Sequence, residues 1–224
     1  MIELADTSAN TGLDIIRLGR KAYDEVWDRQ KRLVDERRLG TVPDTLILVE
    51  HDPVYTLGKN SNENHLLRSR DTNIPVYQIE RGGDVTFHGP GQLVGYPILD
   101  LHDHRLSVSW YIRTLEAVLI ETLGHFSIEA RRRAGLTGVW VGEEKIAALG
   151  VRLSRWVSMH GFALNVNTDL NFFDGIIPCG IFEYDVTSMT RVLGKEVSMV
   201  EVEETLITIF RTLFSFQKCE LAHA

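Results

Sequence analysis

The feature that most constrains the fold is a run of sixteen residues, 81–96, which contains five glycines and a proline between two strand-like apolar segments. Glycine loses more conformational freedom on folding than other residues, so it is expected where the backbone needs positive φ or lies against other atoms with no Cβ between. This glycine-rich segment therefore predicts backbone that lies directly against a ligand. A phosphate-binding loop is one arrangement that would fit the pattern.

Composition limits what kind of protein this is. The 224 residues are 44% hydrophobic and 25% charged, which is enough to bury a sizeable core. No apolar run approaches the roughly 18 residues of a membrane span, and residues 1–6 lack the basic start and apolar core of a signal peptide. Two cysteines are too few for a disulfide scaffold. We therefore expect a cytoplasmic protein, and the 24 basic against 31 acidic residues argue against nucleic acid as its main partner.

The hydrophobic pattern predicts a mixture of helices and short strands. No repeat, low-complexity tract or linker divides the chain, so we expect a single domain over residues 1–224. Helices are predicted over residues 12–38, 108–126 and 199–216. Strands are predicted over residues 45–50, 54–58, 75–80, 92–99, 138–141, 145–153, 158–166 and 183–189. Helices at both ends and in the middle, with strands grouped between them, indicate an α+β domain with a mixed sheet, not regular βαβ alternation.

Cys179 is the first candidate for chemistry. It lies between Pro178, which fixes φ, and Gly180, which permits any φ, and this setting holds a thiol in a defined place. A free thiol has a pKa of about 8.5, so it needs a nearby cation or helix N-terminus to be mostly thiolate near neutral pH. The alternative is that Cys179 is a small buried hydrophobic residue. Cys219, close to the end of the chain, is interpreted as a bystander.

Lys145 is the second candidate. Two apolar runs flank Gly-Glu-Glu and predict a hairpin, with Lys145 at the start of its second strand. Regular alternation would place Lys145, Ala147 and Leu149 on one face of the sheet and Ile146 and Ala148 on the other. The alternative is a solvated lysine at a hairpin tip.

The glycine-rich segment resembles the signature of the lipoyl(octanoyl) transferases. Residues 51–58, 142–150 and 178–180 resemble three further segments of that family, in the same order. Several motifs in the correct order are more specific than one short motif, and together the similarity spans roughly residues 14–215. The family shares a superfamily with the biotin protein ligases and lipoate ligases, which implies a central mixed β-sheet flanked by α-helices.

The resemblance also implies a reaction. Members of the family move an octanoyl group from the phosphopantetheine thioester of acyl carrier protein to a lysine of a lipoyl domain, in oxo-acid dehydrogenase complexes or the glycine-cleavage H protein. By the resemblance Cys179 is the nucleophile that carries the octanoyl group as a thioester, and Lys145 is the lysine beside it. An ammonium close to a sulfur favours the thiolate. Neither ATP, a metal nor any other cofactor is expected.

The resemblance implies a set of substrate-binding residues. These are Arg81, Gly82, Gly83, Asp84, Val85, Thr86, Phe87, His88, Ala148, Leu149, Gly150, Gly161, Phe162 and Ala163. Several polar residues have simpler interpretations: Arg81 as a structural clamp across the loop, Asp84 and Thr86 as turn-stabilising side chains, and His88 and His160 as structural histidines. No His or Cys spacing fits a metal site.

Charge bears on how partners would dock. The formal net charge is −7, and acyl carrier proteins and lipoyl domains are commonly acidic, so docking would have to rest on local basic patches. Arg131-Arg132-Arg133 is the first candidate patch and Arg68 with Arg70 the second; the alternative for the first is a solvated loop.

Two other functions remain open at this point. An ATP-dependent lipoate or biotin ligase would bind an acyl adenylate against the glycine-rich segment and would need a lysine but no cysteine nucleophile. A non-catalytic relative would only bind acylated carrier or lipoyl domains. Pro178-Cys179-Gly180 argues against the ligase.

Overall fold

The computed structural model describes residues 12–67, 70–176 and 185–216. Its strands are β1 Leu13–Lys21, β2 Asp44–His51, β3 Val54–Leu57, β4 Val76–Gln78, β5 Val85–His88, β6 Gln92–Ile98, β7 Arg131–Arg133, β8 Leu136–Val141, β9 Glu144–Ser154 and β10 Val157–Asn165. Its α-helices are α1 Tyr23–Arg38, α2 Val108–His125, α3 Met189–Leu193 and α4 Met199–Leu213.

Two sheets organise the described chain. The larger has seven strands in the order β1-β2-β6-β10-β9-β8-β7, with β1 parallel to β2 and the other pairs antiparallel. The smaller has the order β4-β3-β5, with β4 parallel and β5 antiparallel to β3. The mixed sheet and the α+β class are confirmed.

Helices cover both faces of the larger sheet, and strand alternation separates the two cores. In β2, Leu46 and Leu48 pack into the core shared with α2 and α4, whereas Ile47 and Val49 pack with Val26 of α1. Successive strand residues point to opposite faces, so a strand buried on both sides is apolar throughout. The face that α1 covers is called the α1 face below.

The N-terminal helix prediction is wrong for its first third. Leu13–Lys21 is a strand paired in parallel with β2, and the helix begins at Tyr23 after Ala22, whose backbone is extended. The spacing of the apolar residues fits a helix. Without β1 beside it, however, β2 would expose a row of unpaired backbone groups at this edge of the sheet. Pairing with β1 satisfies those groups, and this tertiary requirement overrides local propensity.

The glycine-rich segment is not one long connection. Its first half contains β5, in the smaller sheet, and its second half contains most of β6, in the larger sheet; Gly89-Pro90-Gly91 turns the chain between them. Gly83 and Gly91 have positive φ, as the pattern required. The segment therefore links the two sheets.

Two further expectations need correction. Residues 131–133, predicted as a possible solvated loop, form the edge strand β7. Of the predicted strand 183–189, residues 183 and 184 lie outside the described part of the chain, Val186 forms one isolated bridge to Lys145, and Met189 begins α3. The remaining predicted strands and helices are found within a few residues of their expected bounds.

Strands β6 and β10 approach each other so closely that glycine is required at their contact. A Cβ on Gly161 would lie 2.1 Å from the carbonyl oxygen of Gly95 and 2.7 Å from Cδ of Pro97. Backbone atoms cannot move aside as a flexible side chain can. The close approach fixes the spacing of the strands that form the floor of the candidate site.

We predict that Gly161→Ala lowers the free energy of unfolding by at least about 2 kcal/mol, because the new methyl group overpacks the sheet. Gly124→Ala is the matched control, since Gly124 lies in α2 and a Cβ there meets nothing within 4 Å. Removing a helical glycine should leave stability unchanged or raise it by up to about 1 kcal/mol. Urea unfolding of both variants measures the difference, and equal stabilities would contradict the prediction.

Candidate active site

A cavity of about 480 Å³, counting the part that opens to solvent, lies on the α1 face beside β9 and β10. Apolar residues such as Val85 and Val94 form part of the wall, and small residues such as Ala148 and Ala163 keep it open. This lining suits an apolar group.

The cavity brings together nearly all the residues that the resemblance implied for substrate binding. Only Gly82 and Phe87 do not line it. Gly82 donates its N–H to the carbonyl of Val151, 3.0 Å away, and so ties the loop to β9. Phe87 stacks on Phe172 in the core of the smaller sheet. These two residues support the cavity wall from behind.

Four lining residues were not predicted as substrate contacts: Tyr23, Val94, Tyr96 and His160. Val94 and Tyr96 belong to the glycine-rich segment, so continuing the implied contacts along that segment would have found them. Tyr23 is the first residue of α1, and no local pattern signals its position. Sequence spacing cannot show which helix end reaches a distant sheet.

Arg81 acts as the clamp that was proposed for it. Its guanidinium donates to the carbonyl of Thr56 at 2.8 Å, to the Thr56 hydroxyl at 3.0 Å and to the carbonyl of Gly82 at 3.0 Å. These bonds join the start of the glycine-rich segment to β3. Arg81 also lines the cavity, so the clamp and the proposed contact are compatible.

His88 is held by a buried hydrogen-bond network. The Gln92 amide nitrogen donates to the carbonyl of Phe87 and to Oδ1 of Asn165, so Oε1 of Gln92 faces Nδ1 of His88, 2.8 Å away, as an acceptor. Nδ1 therefore carries the proton and Nε2 is the acceptor nitrogen of the ring. The network supports the structural interpretation of His88, although the ring also lines the cavity.

A second histidine, His51, braces the same wall. Its Nδ1 lies 3.1 Å from the carbonyl of Lys21, which only accepts, so Nδ1 is the donor and Nε2 accepts from the Tyr96 hydroxyl at 2.8 Å. Burial lowers the pKa of His51 to about 4 and that of His88 to about 3. Both rings are neutral at physiological pH, which suits a wall that faces an apolar group.

His160 differs from these two histidines. It is 1% exposed, and among the described residues neither of its ring nitrogens has a hydrogen-bond partner; Nε2 and Oε2 of Glu80 are 3.9 Å apart, too far for one. Burial, with the nearby Arg81 and Arg152, lowers its pKa to about 3. Its φ of 59° is unusual for a strand residue. The structure thus places in the cavity wall a residue interpreted from the sequence as structural.

The position of Lys145 corrects the predicted alternation. Val139 pairs with Ala147 but Trp140 pairs with Lys145, so Ile146 is an extra residue, a β-bulge. Val139 and Ala147 pack into the core with α2 and α4, and Lys145 shares the opposite face with Trp140. The bulge therefore turns Lys145 to the α1 face.

Lys145 is enclosed and not solvated at a hairpin tip. It is 8% exposed, and its ammonium lies 4.9 Å from the centre of the Trp140 ring. Its side chain crosses over Gly138, where a Cβ would lie 3.3 Å from Cε of Lys145. Backbone bonds to Asp185 and Thr187, of 2.9 and 3.0 Å, place the chain that follows the cysteine segment beside it. Cys179 and Cys219 themselves lie outside the described residues.

The proposed basic patch is largely ion-paired. Arg131 and Arg133 both contact Glu143, at 2.9 and 2.7 Å, and Arg132 contacts the buried carboxylate of Glu116 at 3.0 Å. Glu116 in turn accepts from the N–H of Gly138, so Arg132 belongs to the support of the hairpin. Of the second candidate patch, Arg68 lies outside the described residues.

The described residues, 12–67, 70–176 and 185–216, contain no group of three or more His, Cys, Asp or Glu side chains placed to hold a metal ion. None of their helices has the length and apolar character needed to cross a membrane.

Comparisons with known proteins agree with this architecture. Residues 22–211 match the family model of the lipoyl protein ligase A/B catalytic domain. The octanoyltransferase of Solibacter usitatus is 51% identical over 205 residues, covering 90% of this chain and 92% of that protein.

Solved structures show the same fold at low identity. A bi-partite lipoate protein ligase from Thermoplasma acidophilum has a TM-score of 0.70 at 18% identity, covering 92% of this chain and 85% of that one. Biotin protein ligase from Aquifex aeolicus has a TM-score of 0.54 at 16% identity, covering 90% and 69%. By its sequence and its fold, the chain belongs to the lipoyl protein ligase A/B catalytic domain family, among the octanoyltransferases.

Proposed function

We propose that this protein transfers an octanoyl group from octanoyl-acyl carrier protein to a lysine of a lipoyl domain through a thioester on Cys179. The observation that carries the proposal is the apolar cavity on the same sheet face as a buried lysine. Family membership supports octanoyl as the group that is transferred, and the apolar cavity supports binding of such a chain. Each buried CH₂ contributes about 0.8 kcal/mol, so several carbons together contribute roughly 5 kcal/mol to binding.

The transfer has two steps. The Cys179 thiolate attacks the carbonyl carbon of the incoming thioester, the bond from that carbon to the phosphopantetheine sulfur breaks, and the departing thiolate takes a proton. The amine of the acceptor lysine then attacks the enzyme thioester, the bond to Cys179 breaks, and an amide forms. Exchange between thioesters is nearly neutral and amide formation is downhill, so the proposal requires no ATP and no metal. Dividing the transfer lets the two proteins dock one after the other.

Lys145 is proposed as the partner of Cys179. The enclosed ammonium can stabilise the thiolate, give a proton to the departing sulfur and accept one from the attacking amine. The Trp140 ring contacts the ammonium, and the absence of a side chain at Gly138 leaves room for the rest of Lys145. Both features keep Lys145 on the α1 face and so support this role. The proposal places the reaction in the cytoplasm, where a cysteine remains reduced.

We predict that mixing the protein with octanoyl-acyl carrier protein, without ATP, adds one octanoyl group that intact-mass measurement detects. Cys179→Ala should abolish the adduct because the nucleophile is gone. Cys219→Ala, the matched control, should keep it. An adduct that survives Cys179→Ala would contradict the thioester. Lysine transfer that requires free octanoate and ATP would indicate a ligase, and binding with no adduct would indicate a non-catalytic relative.

We predict that Gly138→Ala lowers kcat/KM for octanoyl transfer roughly tenfold to a hundredfold, because the methyl group would displace the Lys145 side chain. Gly135→Ala is the control: it also has positive φ, 76° against 137°, but a Cβ there meets nothing within 4 Å. Steady-state kinetics of both variants separates the effect of displacing the Lys145 side chain from the effect of backbone strain alone. Equal losses in the two variants would argue against positioning of Lys145.

The ion pairs refine the docking hypothesis. Arg132 compensates a buried carboxylate, so the docking candidates are Arg131 and Arg133, which share the exposed Glu143. A partner with an acidic surface would compete with Glu143 for both guanidinium groups. The patch adjoins the hairpin of Lys145, because Arg131 also donates to the carbonyl of Gly142 at 3.2 Å.

We predict that replacing Arg131 and Arg133 with serine raises KM for acyl carrier protein severalfold at low salt and flattens its salt dependence. Glu143→Gln should lower KM, because it frees the same two arginines. Initial rates from low to physiological ionic strength measure both effects. A KM that neither change alters would rule out this surface as the docking site.

A further inference from the structure

His160 is the one cavity-lining histidine that neither the hydrogen-bond network nor the proposed chemistry explains. Nδ1 of His88 is hydrogen-bonded to Gln92, whereas neither ring nitrogen of His160 has a hydrogen-bond partner among the described residues. A buried polar group of this kind normally has a partner, so its absence in a native fold needs a reason.

The backbone of His160 has an unusual conformation that serves its position. Met159 and Gly161 flank it on β10, and regular alternation would turn its side chain away from the face that Gly161 shares with the cavity. With φ at 59° the imidazole lines the cavity instead. Non-glycine residues in this region are uncommon and concentrate at functional sites.

Along β9, the cavity-lining residues Ala148 to Gly150 lie between Lys145 and Val151, the pairing partner of His160. His160 therefore lies at one end of this lining, and Lys145 lies beyond the other end, outside the lining. The Lys145 side chain crosses Gly138, whose added Cβ would lie 3.0 Å from the carbonyl oxygen of Ala147. His160 pairs with Val151, which comes four residues after Ala147 on β9. At about 3.3 Å per residue, these two positions on β9 are roughly 13 Å apart. An extended octanoyl chain is roughly 9 Å long at carbon–carbon bond lengths of about 1.5 Å. The remaining distance accommodates the thioester group.

Polar groups lie around His160. Gln30 of α1 accepts the backbone N–H of His160 at 3.0 Å, and the amide nitrogen of the same Gln30 has no partner among the described residues. Glu80, paired with Arg152 at 2.8 Å, lies just beyond. An apolar chain that reached this end would cover hydrogen-bonding groups without replacing their bonds.

We propose that His160 sets the acyl chain length by closing the far end of the cavity with a polar surface at which an eight-carbon chain stops. The inference rests on the proposed function and names the residue that decides its specificity. A longer chain gains binding free energy by burying more methylene groups, but it must displace any water bound to the imidazole. The cost of that displacement cancels the gain. His160 is a specificity residue and takes no part in proton transfer.

The test compares His160→Met with His160→Gln, which have similar shapes but differ in polarity. Octanoyl- and decanoyl-acyl carrier protein are the donors and a lipoyl domain is the acceptor. We expect His160→Met to raise the ratio of decanoyl to octanoyl kcat/KM about tenfold, and His160→Gln to keep the parent ratio. Met159→Leu, a buried change beside His160, controls for disturbance of β10.

Other outcomes are distinguishable. A ratio that His160→Met leaves unchanged, or that both variants raise equally, would overturn the proposal. Failure of the unmodified protein to transfer octanoyl at all would instead refute the proposed function. Should the methionine variant not fold, the unmodified protein still gives a test: a terminal hydroxyl on the decanoyl chain should improve transfer, and no improvement would also overturn it.

Discussion

Everything in the candidate site depends on the hydrogen-bonded pairing of β10 with β9 and β6 at the centre of the larger sheet. Gly161 permits the close approach of β6, and Val157–Asn165 is buried along its whole length. This rigid floor carries the small residues of the cavity. Regular pairing also makes local departures informative, because each one redirects a side chain by a full face of the sheet.

Two such departures determine where Lys145 and His160 point. The bulge at Ile146 turns Lys145 to the α1 face, and the left-handed backbone of His160 turns its imidazole into the cavity wall. Regular alternation would instead turn both side chains to the opposite face of the sheet. Bulges and strained residues of this kind often lie near functional sites, since they aim a side chain where regular geometry cannot.

The glycine-rich segment has a different role from the one its composition first indicated. Part of its glycine content accommodates other protein atoms: the Phe162 ring, for example, occupies the space where a Cβ on Gly95 would lie. Its polar residues mainly fix the wall, with Arg81 tied to β3 and His88 tied to Gln92. The segment joins the two sheets and presents one side to the cavity, while the proposed reacting groups, Cys179 and Lys145, lie elsewhere in the chain.

The sequence by itself determined the α+β class, most element positions, the family resemblance and most residues of the cavity wall. Those depend on local periodicity and on motifs that are contiguous in the chain. Only the tertiary structure decided that Leu13–Lys21 is a strand, that Lys145 lies on the α1 face and that His160 lines the cavity. Each of these depends on pairing with a distant strand, and neither a bulge nor a positive φ at a non-glycine residue leaves a readable pattern in a single sequence.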